Sequence, residues 1–269
     1  MKILLTGSEG MLGSTLKMFW RGIYDMTFID LKLGSDLNTC DLPEVDAVVH
    51  LAGKSGVRES FDSPMEYWKN NVEATKRLFG FYNVPIYYAS SSTAKEPERN
   101  PYAYTKHIME KEAPDNAVGL RFTTIYGSDA RPNMFIPKLM RNDVEYINNH
   151  SRDFIHIADV CRAVTMIMNS KLKGVIDIGT GKSYHLSKLL QAKGLKNIPM
   201  REGGKQERKD NTADTTQLNS IGFKARIDVI DFISQEKTLD KEAFSKYNVT
   251  IGDQPWKTFY KTSLPIHIR

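Results

Sequence analysis

Short apolar runs alternate along the chain with stretches whose apolar residues recur at helical spacing. The apolar runs predict strands at residues 2–6, 26–30, 47–51, 86–90, 117–121 and 175–178. The helical stretches lie between them, at residues 11–21, 64–79, 102–113 and 158–170. Strands that alternate with helices are typical of a parallel sheet covered on both faces. The pattern therefore predicts an α/β fold with a doubly wound sheet, the alternative being an α+β fold with an antiparallel sheet.

Composition and charge narrow the class of protein. The 269 residues include 37 Lys and Arg against 32 Asp and Glu, a mild basic excess of +5 with the two signs interspersed. This balance suits an anionic small molecule better than a nucleic acid. Two cysteines, Cys40 and Cys161, predict neither a disulfide framework nor a metal site and fit a reducing compartment.

The sequence predicts neither a signal peptide nor a membrane-spanning segment. The apolar start of the chain meets Gly7 too early for a signal peptide, and no apolar run approaches the roughly 18 residues of a membrane span. We therefore expect a soluble, cytoplasmic protein with no membrane contact.

A glycine-rich turn follows the first predicted strand. Gly7, Gly10 and Gly13 stand at GxxGxxG spacing between that strand and the first predicted helix. Such a turn lets the backbone approach a pyrophosphate, which the amino end of the helix then attracts. Asp30 ends the next strand, where a carboxylate accepts from a ribose 2′-hydroxyl and repels a 2′-phosphate. The order predicts a Rossmann-type fold that prefers NAD to NADP; the alternative is a structural turn with a solvated Asp30.

The chain after Arg121 is less regular, with proline and asparagine in residues 129–134 and a polar loop at 201–210. We expect an NAD-binding Rossmann domain at residues 1–122, with a returning segment at about 152–180. The remaining residues, 123–151 and 181–269, are predicted to form a smaller substrate-binding α/β region in the C-terminal half.

A tyrosine and a lysine stand four residues apart at the start of a predicted helix. Tyr102 and Lys106 would share one helix face, and a nearby ammonium lowers the pKa of a phenol. Together with the positive nicotinamide of NAD⁺, Lys106 would bring Tyr102 toward a general base at working pH. A plain surface contact is the alternative for an isolated pair. Here the pair follows a glycine turn and the serines 90–92, which end a strand.

These features together resemble the extended short-chain dehydrogenase/reductase family, the NAD-dependent nucleotide-sugar epimerases and dehydratases. The resemblance covers residues 1 to about 218 and includes HLAG at 50–53, Asn71, the serine run, YxxxK, RDFIHIADV at 152–160 and IGTG at 178–181. It implies bound NAD, a homodimer formed through helices 64–79 and 102–113, and catalysis by Tyr102, Lys106 and Ser92. The cofactor contacts it implies are Gly7, Gly10, Met11, Leu12, Gly13, Asp30, Asp41, Leu42, Leu51, Ala52, Gly53, Asn71, Ser90, Tyr102 and Lys106.

Two further motifs are similar to UDP-glucuronate 4-epimerases: GVRES at 56–60, and RFTTIYG at 121–127 followed by RPNM at 131–134. By this resemblance Thr124 and Arg131 approach a sugar carboxylate, which suits a hydroxyl and a guanidinium fork, although Arg131 could instead be structural. The substrate contacts so implied are Ser91, Ser92, Thr124, Arg131, Arg152 and Arg201, with the two arginines 152 and 201 at the diphosphate.

The chain also departs from the family. Only ten positions separate Ser92 from Tyr102, so the usual loop after the serines is missing. Either Ser91 or Ser92 could contact the substrate hydroxyl, and Ser92 is selected. The tail after Phe223, with Trp256 and Tyr260, matches nothing in the family.

The predicted reaction is 4-epimerisation of a UDP-sugar, expected to be a UDP-uronate. A uronate decarboxylase or a nucleotide-sugar dehydratase would need an acid just after the serine, where Thr93 and Ala94 stand. That argues against both, unless the short loop brings Glu96 or Glu98 there. A non-catalytic NAD-binding protein is a further alternative, but it would not need the Tyr–Lys pair.

Overall fold

The computed structural model describes residues 1–127 and 130–235. Asp129 and the tail with Trp256 and Tyr260 lie outside the described residues, as do residues 236–269 of the predicted substrate-binding region. Among the residues described there is no helix long and apolar enough to cross a membrane.

Six parallel strands form the central sheet in the order β2-β1-β3-β4-β5-β9. They are β1 (Lys2–Thr6), β2 (Asp25–Ile29), β3 (Ala47–His50), β4 (Ile86–Ser91), β5 (Ala117–Phe122) and β9 (Gly174–Ile178). The chain leaves β1 toward β2 on one side and returns to β3 on the other, so a topological switch point lies between β1 and β3. The predicted doubly wound Rossmann-type fold is confirmed, and the antiparallel alternative is wrong.

Helices cover both faces of this sheet, as is typical of parallel sheets. One face packs on α1 (Met11–Phe19), α7 (Ile157–Met168) and α9 (Thr216–Ser220). The other packs on α4 (Ala74–Phe81) and α5 (Pro101–Lys111). The short helices α2 (Glu59–Asp62) and α3 (Pro64–Tyr67) precede a π-helical stretch, Trp68–Glu73, that runs into α4. The predicted helix 64–79 is thus a succession of three helical pieces.

A second, smaller layer of strands lies beyond the carboxyl end of β5. It has a three-stranded sheet of β6 (Thr124–Tyr126), β8 (Ser151–His156) and β10 (Ser183–His185), and a pair formed by β7 (Ile147–Asn148) and β11 (Met200–Arg201). The helices α6 (Phe135–Met140), α8 (Leu186–Lys193) and α10 (Val229–Gln235) accompany these strands. Of the segment 152–180, α7 and β9 lie with the central sheet, whereas β8 lies in the smaller one.

A buried carboxylate joins the two layers. Asp153, fully buried on β8, accepts hydrogen bonds from the backbone N–H groups of Thr180, Gly181 and Ala213. A buried carboxylate is stable only when such donors surround it. Asp153 therefore fixes the turn after β9 against the smaller sheet, above the carboxyl ends of the central strands.

Candidate functional site

A cleft of about 770 Å³ opens at the carboxyl ends of β1, β3, β4 and β5. Its lining includes residues that directly follow those strands, among them Gly7, Leu51, Ser92 and Thr123. Ligands of open α/β sheets bind at this edge beside the switch point. The cleft is therefore the candidate active site.

The glycine turn forms one end of the cleft. Gly7 has φ +71°, and a Cβ there would lie 2.5 Å from the backbone nitrogen of Ala52. A Cβ on Gly13 would lie 2.0 Å from the Gly7 carbonyl oxygen, so the close approach of helix to strand excludes any side chain. Gly10 is the N-cap residue of α1 and has no side chain to bond the first backbone N–H groups of the helix. The amino end of α1 lines the cleft. This cradle fits the pyrophosphate of a dinucleotide.

Asp30 lies where the sequence predicts it, just after β2. Its two carboxylate oxygens accept from the backbone N–H groups of Glu9, at 2.9 Å, and Lys32, at 2.8 Å. The carboxylate thereby ties the glycine turn to the loop after β2. Lys32 lines the cleft and donates to the Glu9 carbonyl at 3.1 Å.

The other predicted cofactor residues fall into two groups. Met11, Leu12, Leu51, Gly53 and Ser90 line the cleft, as do Tyr102 and Lys106. Asp41 is exposed, Leu42 packs against the core beside α4, and neither is among the lining residues. Ala52 donates its N–H to Thr6, and Asn71 is fully buried behind the lining. Asn71 binds both backbone groups of Lys54 and the Thr105 hydroxyl, so it supports the lining from behind.

Tyr102 stands at the centre of the cleft, in the first turn of α5. Its hydroxyl lies near the side chain of Ser91, the last residue of β4, which lowers the pKa of the phenol. Ser91 also receives a bond from the Thr93 hydroxyl at 2.9 Å. Ser92, which the sequence analysis selected, lines the cleft, and its carbonyl accepts from Arg208. The structure thus pairs Tyr102 with Ser91, the alternative serine.

The electrostatics at Tyr102 differ from the sequence expectation. Burial raises the pKa of the phenol, and the nearby Ser91 side chain and the Arg131 charge lower it by less. Lys106 Nζ lies 6.0 Å from the centroid of the Tyr102 ring and donates to the Ala89 carbonyl at 2.7 Å. Burial lowers the pKa of Lys106 itself to about 8. The expected lowering of the Tyr102 pKa by Lys106 is therefore wrong for the protein alone, because desolvation of the phenolate dominates.

Thr124 and Arg131 both line the cleft, and both also line a second cavity beside it. Asn211 fixes Thr124, since its amide donates to the threonine hydroxyl at 3.1 Å while its carbonyl oxygen holds the Asp153 N–H at 2.7 Å. The Arg131 charge lowers the pKa of both Tyr67 and Tyr102, and Arg131 and Tyr102 line the same cleft. A hydroxyl and a guanidinium beside Tyr102 suit an anionic substrate group.

A second cavity of about 430 Å³, here called the side cavity, adjoins the cleft. Residues 57, 124, 131, 134, 152 and 207 line both spaces. Tyr146 lines the side cavity, and the Arg201 guanidinium stacks 3.9 Å from its ring centroid. Arg152 therefore lies between the two spaces, whereas Arg201 reaches neither lining directly.

Glu96 is ionised and held away from the reacting tyrosine. Arg208 binds its carboxylate at 2.7 Å, Arg99 binds it as well, and these hydrogen bonds outweigh burial and lower the pKa of Glu96. Glu96 is not among the lining residues of the cleft, and Glu98 is exposed. The short loop after the serines thus supplies neither acid to the site.

Among the lining residues that sequence reasoning missed are Glu207, Arg208 and Asn211. All three line the cleft and come from the polar segment after β11, which composition predicted only as a loop. Arg208 donates to the Ser92 carbonyl at 2.8 Å. The clustering of charge at residues 205–210 was the available signal, but nothing local indicates which strand end such a loop will meet.

Comparison with known proteins agrees with this geometry. The NAD dependent epimerase/dehydratase family matches residues 3–179, more than half of the chain. YtcB of Bacillus subtilis, named an uncharacterized UDP-glucose epimerase, is 28% identical over 230 residues, which cover 62% of this chain and 72% of YtcB. CapI of Staphylococcus aureus is 28% identical over 254 residues, with 68% and 75% covered.

Among solved structures, MoeE5 in complex with UDP-glucuronic acid and NAD superposes with a TM-score of 0.76 at 28% identity. The match covers 87% of this chain and 97% of MoeE5. The predicted NAD-using enzyme of the epimerase type is confirmed. With a glycine cradle, a Tyr–Ser pair and a lysine at one sheet edge, the chain belongs to the NAD dependent epimerase/dehydratase family, and its cofactor is NAD.

Proposed function

We propose that the protein is a 4-epimerase of a UDP-uronate, interconverting UDP-glucuronate and UDP-galacturonate. The observation that carries this proposal is that Ser91, Tyr102 and Lys106 line one cleft together with Thr124 and Arg131. Residues 1–122 with α7 and β9 would hold NAD, and residues 123–151 and 181–269 would hold the nucleotide sugar. The nucleoside would occupy the side cavity, with Arg152 at the diphosphate.

Each residue then has a stated task. The Tyr102 phenolate removes the proton from the C4 hydroxyl of the sugar, and the Ser91 hydroxyl forms a hydrogen bond with that C4 oxygen. When bound, NAD supplies a reversible acceptor for the C4 hydrogen. Lys106 would hold the cofactor ribose, and Tyr102 would return its proton to the C4 oxygen when the keto carbon regains a hydride on its opposite face. Positioning by Thr124 and Arg131 keeps the reacting carbon in place.

The environment of Glu96 favours epimerisation over the alternatives. Decarboxylation and dehydration within this family would need an additional proton donor or acceptor beside the serine. The two arginines that bind Glu96 hold it ionised and out of the cleft. Thr93, the side chain nearest in sequence, is already bonded to Ser91.

Substrate turnover by an arginine variant tests the carboxylate assignment. Wild type, Arg131→Ala and the exposed control Arg21→Ala are incubated with UDP-glucuronate, UDP-glucose and UDP-N-acetylglucosamine, and the products are separated by chromatography. We expect Arg131→Ala to lower kcat/KM for the uronate by about 10²-fold, since a charge-assisted bidentate contact is lost. Neutral sugars should lose much less, because for them only the smaller effect of the Arg131 charge on the Tyr102 pKa is removed. Equal losses for all sugars would contradict the assignment.

We also propose a homodimer formed through α3 and α5. Phe61, Met65 and Tyr104 on these and the neighbouring α2 helix are large, apolar and about half or more exposed, with Met65 at 73%. Trp68 stacks on Tyr104 at 6.4 Å and extends the same surface. Contiguous exposed apolar side chains of this kind mark protein contact surfaces.

A further inference from the structure

Glu207 is a carboxylate in a place where the proposed substrate carries phosphate. Its oxygens lie 3.3 Å from the Arg152 guanidinium, 3.5 Å from the His150 ring and 3.5 Å from the Arg58 guanidinium. The residue lines both the main cleft and the side cavity. It therefore stands at the junction that a nucleotide sugar spanning the two spaces must cross.

The backbone around Glu207 is anchored on both sides. Arg99 donates to the Lys205 carbonyl at 2.7 Å, and Asn100 donates to the Gln206 carbonyl at 2.9 Å. Arg208 is held by Glu96 and by the Ser92 carbonyl. The segment is thus docked on the short loop that leads to Tyr102, and it presents the Glu207 side chain to both cavities.

The hydrogen bond between Arg152 and Glu207 is long, but the Glu207 carboxylate offsets the charge of the largely buried Arg152 guanidinium. Charge-assisted bonds between guanidinium and carboxylate are usually about 2.7–2.9 Å long, and the bonds here are longer. Arg152 is only 16% exposed, so its charge needs a partner to offset lost hydration. Glu207 is 21% exposed and can turn toward water.

We propose that Glu207 is a resident counter-anion of Arg152, which the substrate diphosphate displaces on binding. This inference rests on the proposed function. A diphosphate and the carboxylate compete for the same guanidinium, and like charges side by side repel. Glu207 consequently lowers the affinity of the site for nucleotides and nucleotide sugars and favours product release.

Titration with UDP tests the proposal. Dissociation constants of UDP are measured by calorimetry for wild type, Glu207→Gln, Glu207→Ala and the exposed control Glu202→Gln, with thermal melting as the check on folding. We expect both Glu207 variants to bind UDP about three- to tenfold more tightly, the range of one weakly screened charge pair. Glu202→Gln should match wild type, and KM for UDP-glucuronate should fall in parallel with the UDP dissociation constant.

The results of this titration distinguish a failure of the proposed displacement from a failure of the proposed function. Unchanged or weaker UDP binding by folded Glu207 variants, with wild type binding UDP, would overturn the displacement and make Glu207 a positioning residue for Arg152. Absence of binding of both UDP and UDP-glucuronate to wild type would overturn the proposed function itself.

Discussion

At the scale of single residues, the site depends on how Tyr102 is made reactive. Burial raises its pKa, and the groups that oppose burial are the Ser91 hydroxyl and the Arg131 guanidinium. Arg131 thus has two consequences, since the charge that suits a substrate carboxylate also stabilises the phenolate. Burial lowers the pKa of Lys106 to about 8, and its ammonium is positioned by a hydrogen bond to the Ala89 carbonyl, beside Gly53.

The two serines can be distinguished by substitution. We expect Ser91→Ala to lower kcat by about one to two orders of magnitude, because the hydroxyl that holds both Tyr102 and the substrate oxygen is lost. Ser92→Ala should retain most of the activity, because Ser92 contributes its carbonyl, which the substitution preserves. Steady-state kinetics of UDP-glucuronate epimerisation measure both, with Tyr102→Phe as the inactive reference. A larger loss of kcat in Ser92→Ala than in Ser91→Ala would show that Ser92 contacts the substrate hydroxyl, as the sequence analysis expects.

Local spacing was sufficient for the pairs that lie on one element. Tyr102 and Lys106 stand four residues apart on α5, so their pairing could be predicted from spacing. Thr124 was expected only from its resemblance to a family motif. The choice of Ser91 over Ser92 could not be predicted, because it depends on which of these neighbouring serines at the end of β4 has its side chain toward α5. Glu207 and Asn211 meet the site across long sequence separations, which no periodicity encodes.

At the scale of elements, buried side chains connect the strands to the helices that carry the site. The π-helical stretch Trp68–Glu73 turns Asn71 toward the loop after β3 and toward Thr105 of α5. π-helical turns are frequent at functional sites because they redirect a side chain. Helical periodicity predicted the helix itself, but it carries no sign of the altered winding.

His50, at the end of β3, makes a similar connection. Its two ring nitrogens lie 2.7 Å from the Thr6 hydroxyl and 2.8 Å from the Thr75 hydroxyl. Thr75 donates its own hydrogen to the Asn71 carbonyl, so it accepts from the histidine. The ring is therefore neutral, and burial lowers its pKa to about 3.

This histidine predicts acid sensitivity. As the pH falls below 6.5, the unfolded chain takes up a proton that the folded chain refuses until about pH 3. The stabilising contribution is present above pH 6.5 and is lost progressively toward pH 3, by a few kcal/mol. Urea unfolding from pH 7.5 to 4.5 should show a shallower loss for His50→Gln than for wild type, with His185→Gln as control. Equal slopes in wild type and His50→Gln would contradict this role.

The second layer of strands was the part of the fold that the sequence predicted least. Strands β6, β7, β10 and β11 are two or three residues long, too short for an alternating pattern. The smaller sheet is held instead by contacts between residues far apart in sequence, such as Asp153 with Thr180 and Asn211 and Ser151 with Lys209. The central sheet was predictable because its strands are continuous apolar runs between amphipathic helices.

At the scale of the whole molecule, the apolar surface on α2, α3 and α5 predicts assembly. We expect the wild-type protein to elute as a dimer in size exclusion with light scattering. Met65→Glu combined with Tyr104→Glu should give a monomer, since two charges would be buried in an apolar contact. Met18→Glu, on the exposed face of α1, is the control. A monomeric wild type, or a dimer in the double variant, would contradict the proposed interface.

The fate of the hydrogen at C4 tests the central claim most directly. UDP-glucuronate carrying deuterium at C4 is incubated with the enzyme in ordinary water, and the product is analysed by NMR and mass spectrometry. The account predicts UDP-galacturonate that retains deuterium at C4, with no product from Tyr102→Phe. Epimer that has exchanged its deuterium with solvent, or no epimer from an enzyme that binds UDP-glucuronate, would contradict it.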